Sequence, residues 1–462
     1  MTAEREHASG DGRSKKPVVL VVAYSCEPGK GSEPGAGWGT LMAIREIAHP
    51  VVLMRPDSMP KVRNWESADQ GPPVEFIVVP EQAWATTVRR NRFAAFLLYL
   101  LWLRRAESTA RAVIEGRRID LVHHVTYSAY WLPSPAVHLG LPSVWGPVGG
   151  AVTTPRPLMN LLGPRGRVTE YVDRWAVRLA ELLPATRRTW RAATLRLVQN
   201  RETLRRIERV TSRPSWLFNH AVFHTIKKQQ VPPAGAPDDY LIWMSQLESR
   251  KGPELIVRAA AQADPSVRIL MAGDGPEGER MRRLASDLGV GERIEFIGRV
   301  DHTRALELVE WAKAAVFTGL REEGGLALAE ALLLGVPTIV LDHGGPGWIG
   351  RAGADTGRVT FISVESEKRT IRELAEALSA AMAADGVDRS PIIDQATSIE
   401  NLRLAYADVI ASQGSVAAAL PDVTMTGAEG ESTEDDAPAI SVVMAAFNAE
   451  PFIGEAIESV LG

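Results

Sequence analysis

The chain has 462 residues, 45% of them hydrophobic and 23% charged. These proportions suit a soluble globular protein and exclude a mostly disordered or fibrous chain; at roughly 100–200 residues per domain the length implies two or three domains. Fifty-two Lys and Arg against 56 Asp and Glu leave a net charge of −4, so no overall basic field points to nucleic acid as a partner.

Cys26 is the single cysteine. It allows neither an internal disulfide nor a thiolate metal cluster, which fits a reducing, cytoplasmic location. Residues 1–16 lack the apolar core of a signal peptide and read as a disordered polar leader. From Pro17 a strand (VVLVVAY) leads into a glycine-rich loop (SCEPGKGSEPGAG), a helix (WGTLMAIREIA) and a second strand (VVLM). An apolar run from Phe93 to Leu103 lies between Arg89, Arg90 and Arg92 on one side and Arg104 and Arg105 on the other. It is too short to span a bilayer, which needs about 20 residues. Two readings fit it equally, a helix lying on a membrane face and a buried crossover helix with snorkelling arginines.

Further strands are expected at 74–79, 120–125, 142–146 and 195–200, with a long helical region rich in Arg, Leu and Trp around 165–193. The proline-rich VPPAGAPDD (231–239) reads as a linker. A second alternating series follows: YLIWMSQ before a helix from about Pro253, RILMAG before one from about Glu277, RIEFIG before one from about His302, AAVFTG before one from about Leu326, then TIVLD. Such near-continuous Val/Ile/Leu runs suit parallel strands covered on both faces. The expected architecture is two doubly wound α/β domains, 17–235 and 236–398, with a closing helix over 399–413. Residues 414–438 are small and acidic and read as a disordered linker. From Ile440 a new strand, turn and helix begin.

In open parallel sheets ligands bind beyond the carboxyl ends of the strands. Glycine-rich loops fall there: Gly29, Gly31, Gly35 and Gly37 after the first strand, Gly149 and Gly150 in WGPVGG, Gly273-Asp274-Gly275-Pro276, and His343-Gly344-Gly345. Glycine lets a backbone approach a phosphate or sugar closely, although any one such loop is equally a plain turn. Pro34 stands where a dinucleotide fingerprint needs its third glycine, and no P-loop pattern occurs. A dehydrogenase and a P-loop enzyme both lose ground.

The run Arg321-Glu322-Glu323-Gly324-Gly325-Leu326-Ala327-Leu328-Ala329-Glu330 is the most informative. Glu322 follows a strand and Glu330 lies in the next helix; at the helical rise their carboxylates stand about 12 Å apart, the scale of an extended nucleotide-sugar. The helix start between them presents free N–H groups to a diphosphate. Glu330 sits among Ala and Leu, where an unpaired carboxylate is costly, so it needs a partner. A capping pair plus a solvated Glu is the plain alternative. Upstream, Lys251 at the end of Ser245-Gln246-Leu247-Glu248-Ser249-Arg250-Lys251 places a point charge at a helix start.

Together these residues resemble the donor-binding domain of the family 4 glycosyltransferases, which have the GT-B fold and retain anomeric configuration. The resemblance rests on the Lys-Gly after the first strand of the second half, the GDGP loop, EFIGRV, the Glu-x7-Glu element and LLLGVPTIV with its Gly-Gly loop. In the first half AYSCEPGKGSEPGAGW and WGPVGG are similar to loops of a subgroup of that family.

The resemblance implies a GT-B α/β fold and sugar transfer from a nucleotide-diphosphate donor to a glycan or lipid-linked acceptor. It implies no obligatory divalent cation, because the helix start and Lys251 take the metal's place, and it gives no role to nucleic acid. Glu330 would hold the ribose, Lys251 would neutralise the diphosphate, and Glu322 would contact the donor sugar. Gly29 to Gly37, Gly273, Gly324, Gly325 and Leu326 would line the donor, with His124 as a catalytic residue and His123, Gly149 and Gly150 on the acceptor side.

Two residues depart from the family pattern. Gln246 replaces an expected Arg beside the diphosphate, for which Arg250 is the candidate substitute, and Glu323 adds a carboxylate near an anionic donor. A GT-B nucleotide-sugar epimerase and a non-catalytic sugar-nucleotide-binding partner therefore remain alternatives. The segment from Ile440 resembles the first strand and helix of the GT-A family 2 glycosyltransferases, which implies the start of a truncated second enzyme.

Overall fold

The computed structural model describes residues 16–30, 32–69, 71–81, 92–127, 129–218, 235, 239–386 and 388–416. Gly31, Arg89 and Arg90, the polar leader up to residue 15, most of the proline-rich linker, and the acidic and strand-like segments beyond residue 416 lie outside the described residues.

The first half alternates β1 (Val18–Val22), α1 (Ser32–Ile47), β2 (His49–Met54), α2 (Met59–Glu66), β3 (Glu75–Val78), α3 (Arg92–Gly116), β4 (Leu121–His124) and β5 (Ser143–Val148). It continues through α4 (Gly163–Ala180), α5 (Pro184–Ala192), β6 (Leu195–Val198), α6 (Arg201–Glu208) and β7 (Ser215–Leu217). Its seven strands pair in parallel in the order β3-β2-β1-β4-β5-β6-β7. Strand side chains alternate between faces, and both faces are apolar: Val19 and Val21 enter one core cluster, Leu20 and Val22 the opposite one. This is why β1 is an unbroken Val/Leu run.

The second half contains β8 (Leu241–Met244), α7 (Pro253–Gln262), β9 (Ile269–Ala272), α8 (Gly278–Asp287), β10 (Ile294–Gly298), α9 (His302–Trp311) and β11 (Ala314–Phe317). It ends with α10 (Leu326–Leu334), β12 (Thr338–Leu341), α11 (Gly344–Gly350), β13 (Val359–Ile362) and α12 (Glu367–Ala383). The six strands run parallel in the order β10-β9-β8-β11-β12-β13. Leu241 and Trp243 face one core cluster while Tyr240 and Ile242 face the other.

Two segments tie the halves together. Leu158, Met159, Leu161 and Leu162 pack into the core of the second sheet beside Trp243 and Leu247. The closing helix α13 (Gln395–Val416) returns to the first half, where Leu402, Ala405, Tyr406 and Val409 pack with Val19 and Val21.

Three sequence expectations change. Helix α1 begins at Ser32 rather than near Trp38, so the second part of the expected glycine loop is helical; Pro34 fits a first turn because that turn's N–H groups have no helical partner. Residues 344–350 form a short helix instead of a loop. The apolar run in α3 is core: Tyr99, Trp102 and Leu103 are buried while Leu97 and Leu101 remain exposed, so the crossover reading fits.

Candidate functional site

A doubly wound sheet opens a crevice where its strand order reverses. In the second sheet that point lies between β8 and β11, neighbours in space although some 70 residues apart in sequence. The loop leaving β8 carries Lys251 and the loop leaving β11 carries Glu322. The two side chains meet there, Lys251 Nζ donating to Glu322 Oε2.

The surrounding backbone holds this pair. Lys251 ends a 3₁₀ turn, and Gly252 follows in the left-handed region at φ 66°. A Cβ on Gly252 would stand 2.2 Å from the Thr318 carbonyl oxygen, so only glycine lets the two loops approach this closely. The Thr318 hydroxyl accepts from Trp243 Nε1 at 2.8 Å and donates to the Gly252 carbonyl at 3.0 Å. Leu320 N donates to the Arg250 carbonyl at 2.9 Å. The expected substitute cation, Arg250, donates to Glu248 at 2.6 Å, and Gln246 is exposed.

Gly273 takes φ 144°, and a Cβ there would lie 1.8 Å from the Ser245 carbonyl oxygen. Its place is packing beneath the Lys251 loop. The Gly-Gly pair after β12 has a similar basis: Gly345 N donates to the Glu322 carbonyl at 3.0 Å, and a Cβ on Gly345 would meet the Glu323 carbonyl oxygen at 2.1 Å. Gly325 forms the start of α10 in the left-handed region with no side-chain cap. The first-turn N–H groups from Leu326 onward are therefore available to an anion. Since Glu322 to Gly325 is loop, the helical rise applies only from Leu326 to Glu330 and does not fix the spacing of the two carboxylates.

Glu330 is buried and bonds His302 Nε2 at 2.7 Å. That hydrogen bond raises the His302 pKa above its ordinary value. The sequence signalled that Glu330 needs a partner but not which one, because His302 stands at the start of the preceding helix.

Glu323 turns toward the first half. Val152 N donates to it at 3.0 Å and Asn200 Nδ2 at 2.8 Å, and burial raises its pKa. The Gly149–Gly150 loop is brought against it: a Cβ on Gly149 would lie 3.2 Å from Glu323 Cβ. Arg321 likewise reaches across, donating to Glu170 at 3.0 Å and Asp173 at 2.9 Å. His343 Nε2 bonds the Thr153 carbonyl at 2.9 Å. The flanks of the Glu322 loop thus bind the first half directly.

The N-terminal candidates gather at the switch point of the first sheet, between β1 and β4. Gly29 takes φ 69°, and Gly37 packs so tightly that a Cβ would lie 2.4 Å from the Ser25 carbonyl oxygen. Gly35 is buried in the first turn of α1. Gly29 itself is exposed, with nothing near its Cβ position.

His123 and His124 differ from the expectation. Both are completely buried. His123 bonds Tyr406 Oη and the Gly146 carbonyl at 2.7 Å each, and His124 bonds Ser134 Oγ at 2.9 Å. Burial lowers their pKa values to about 3 and about 4. On a strand covered on both faces, adjacent side chains enter opposite cores, so neither histidine reaches an acceptor in this arrangement.

Comparison with known proteins shows what the chain is similar to. Residues 225–385 match the family model described as glycosyl transferases group 1. A lipopolysaccharide core biosynthesis glycosyltransferase, LpsE of Rhizobium meliloti, is 30% identical over 142 residues, 31% of this chain and 40% of that protein. D-inositol 3-phosphate glycosyltransferase of Mycobacterium bovis is 32% identical over 119 residues, 24% of each chain. The chain thus spans less than half the length of these curated relatives. The family match and the named relatives support a transferase enzyme.

Solved structures carry the same two-domain fold. The lipopolysaccharide outer core galactosyltransferase WaaB in its apo form superposes with a TM-score of 0.53 at 13% identity, covering 86% of this chain and 99% of that one. A glycosyltransferase from Rickettsia africae does so with a TM-score of 0.50 at 11% identity, with the same coverage. The architecture is GT-B, two parallel-sheet α/β domains.

Proposed function

We propose that the protein transfers a sugar, with retention, from a nucleotide-diphosphate sugar to a glycan or lipid-linked acceptor in the synthesis of a cell-surface polysaccharide or glycoconjugate. The observation that carries this reading is the Lys251–Glu322 pair at the switch point of the second sheet, beside the uncapped start of α10. The relative named for lipopolysaccharide core biosynthesis, LpsE, supports the glycoconjugate side of this reading.

The diphosphate replaces Glu322 as the counter-charge of Lys251, and its oxygens accept from the N–H groups at the start of α10. Glu322, released from the ammonium, turns to the hydroxyls of the donor sugar. Glu330, positioned by His302, takes the ribose. As the bond from the anomeric carbon to the phosphate oxygen breaks, its electron pair leaves with the diphosphate; the acceptor hydroxyl oxygen forms the new bond to the anomeric carbon on the same face, and its proton passes to the departing phosphate oxygen. Lys251 and the helix start stabilise that growing charge, while orientation of the acceptor supplies the rest of the rate. Fixed positive groups at the leaving oxygen do the work of a divalent cation, so none is obligatory in this reading.

The test is transfer measured on purified Lys251→Ala and Glu330→Ala proteins, with donor chosen by a thermal-shift screen across nucleotide-sugars. Loss of transfer by about two orders of magnitude or more with an unchanged melting curve is expected. Full activity in either variant removes that residue from the site.

A further inference from the structure

Helix α4 is amphipathic in the inverted sense. Val168, Tyr171, Val172, Trp175 and Leu179 stand at the three- and four-residue spacing that places side chains on one helical face, and Leu182 follows in the turn just past the helix end. That face points outward, with each of the six 55–64% exposed. The opposite face carries the acids, and they are engaged. Glu170 is buried and accepts from Thr154 N, Arg174 and Arg321, and Asp173 accepts from Arg321. Glu181 accepts from the Tyr130 hydroxyl.

A water-soluble helix normally buries its apolar stripe, and a contiguous exposed patch of this kind marks an interaction surface. The charges around it indicate the partner. Over residues 163–192 every charged side chain on the exposed surface is an arginine: Arg165, Arg167, Arg178, Arg187, Arg188 and Arg191. Arg178 lies over the Trp175 ring at 5.7 Å, so cation and aromatic share one edge of the stripe. A second copy docked on this face would set these arginines against the same arginines. An anionic surface neutralises the arginines that border the stripe.

We propose that α4 and the start of α5 form a membrane-docking surface that lies in the headgroup region of a bilayer rich in anionic lipid, apolar stripe inward and arginines on phosphates. Among the described residues no helix is long and apolar enough to cross a membrane; the proposed mode is attachment at the surface. The docking helix is also bound to the candidate site: its inner face holds Arg321, the residue before Glu322. Attachment brings the mouth between the halves to the bilayer face, where a lipid-linked acceptor lies. The surface itself needs no donor, so its test is separate from that of the proposed transfer.

The experiment is flotation of the full chain with phosphatidylcholine vesicles, with and without phosphatidylglycerol, for wild type, Trp175→Glu and the double variant Arg187→Glu/Arg188→Glu. Wild type should float with the anionic vesicles and not with the neutral ones. Each variant should partition at least about tenfold less with an unchanged melting curve, as expected for exposed positions. Binding unaltered by either variant, equal binding to neutral vesicles, or no binding would overturn the proposal. So would sedimentation showing a stable dimer that Trp175→Glu dissociates, because the face would then belong to a second copy.

Discussion

Lys251 and Glu322 neutralise each other in the structure, so each has a second task once a diphosphate arrives. The ammonium must change partners and the carboxylate must leave it. Glu322→Gln removes the competitor without removing the cation. Binding of a nucleoside diphosphate should then hold or tighten, while kcat for transfer falls by at least about a hundredfold through loss of the sugar contact. Binding calorimetry beside steady-state rates reads the two effects apart; weaker diphosphate binding in this variant would mean that Glu322 positions Lys251 and does not compete for it. Both residues were legible in the sequence, one at a helix start and the other before the Gly-Gly of the next loop. Their meeting was not, because it depends on β8 and β11 being neighbours. His302 was missed for a related reason: nothing in its local sequence distinguishes it from an exposed first-turn histidine.

At the scale of elements, the glycines explain themselves through close approach more than through a ligand. Gly273 combines a positive φ with a Cβ position overlapping the Ser245 carbonyl oxygen, so the loops after β8 and β9 are packed backbone on backbone. Gly273→Ala should lower stability by about 3 kcal/mol, seen as an earlier denaturant midpoint at unchanged slope. A change below a few tenths of a kcal/mol would show that the two loops separate easily. Strands were the most readable elements, since a sheet covered on both faces demands unbroken Val, Ile and Leu. The start of α1 was harder: glycine and proline in SEPGAG suggest a loop, yet the tight packing of Gly37 beneath Ser25 and Thr126 requires glycine inside a helix.

The whole molecule is stitched by groups far apart in sequence. His123 joins Tyr406 of the closing helix, so the end of the described chain is bonded into the first sheet. His123 and His124 stay neutral in the fold down to about pH 3 and about pH 4, whereas in the unfolded chain they take up protons near pH 6.5. The unfolded state therefore binds more protons between those limits, and stability should fall as pH drops from about 6.5 toward 4. Urea midpoints across that range check the slope, and replacing both histidines by Gln should flatten it; a wild-type profile level down to pH 4 would show that they titrate normally. The two-domain plan was legible from the alternating series on either side of the proline-rich stretch. What was not legible is that each half borrows from the other, with Leu158–Leu162 entering the second core and α13 returning to the first, since apolar pattern tells that a segment is buried and not where.

The central claim is that the loops leaving β8 and β11 form a diphosphate site whose cation is Lys251. Calorimetric titration of the wild type and of Lys251→Ala with the nucleoside diphosphate that most raises the melting temperature tests it directly. The account predicts saturable one-to-one binding by the wild type, weakened at least about tenfold in the variant by loss of one charge-assisted contact. Equal affinity in the two proteins would contradict it.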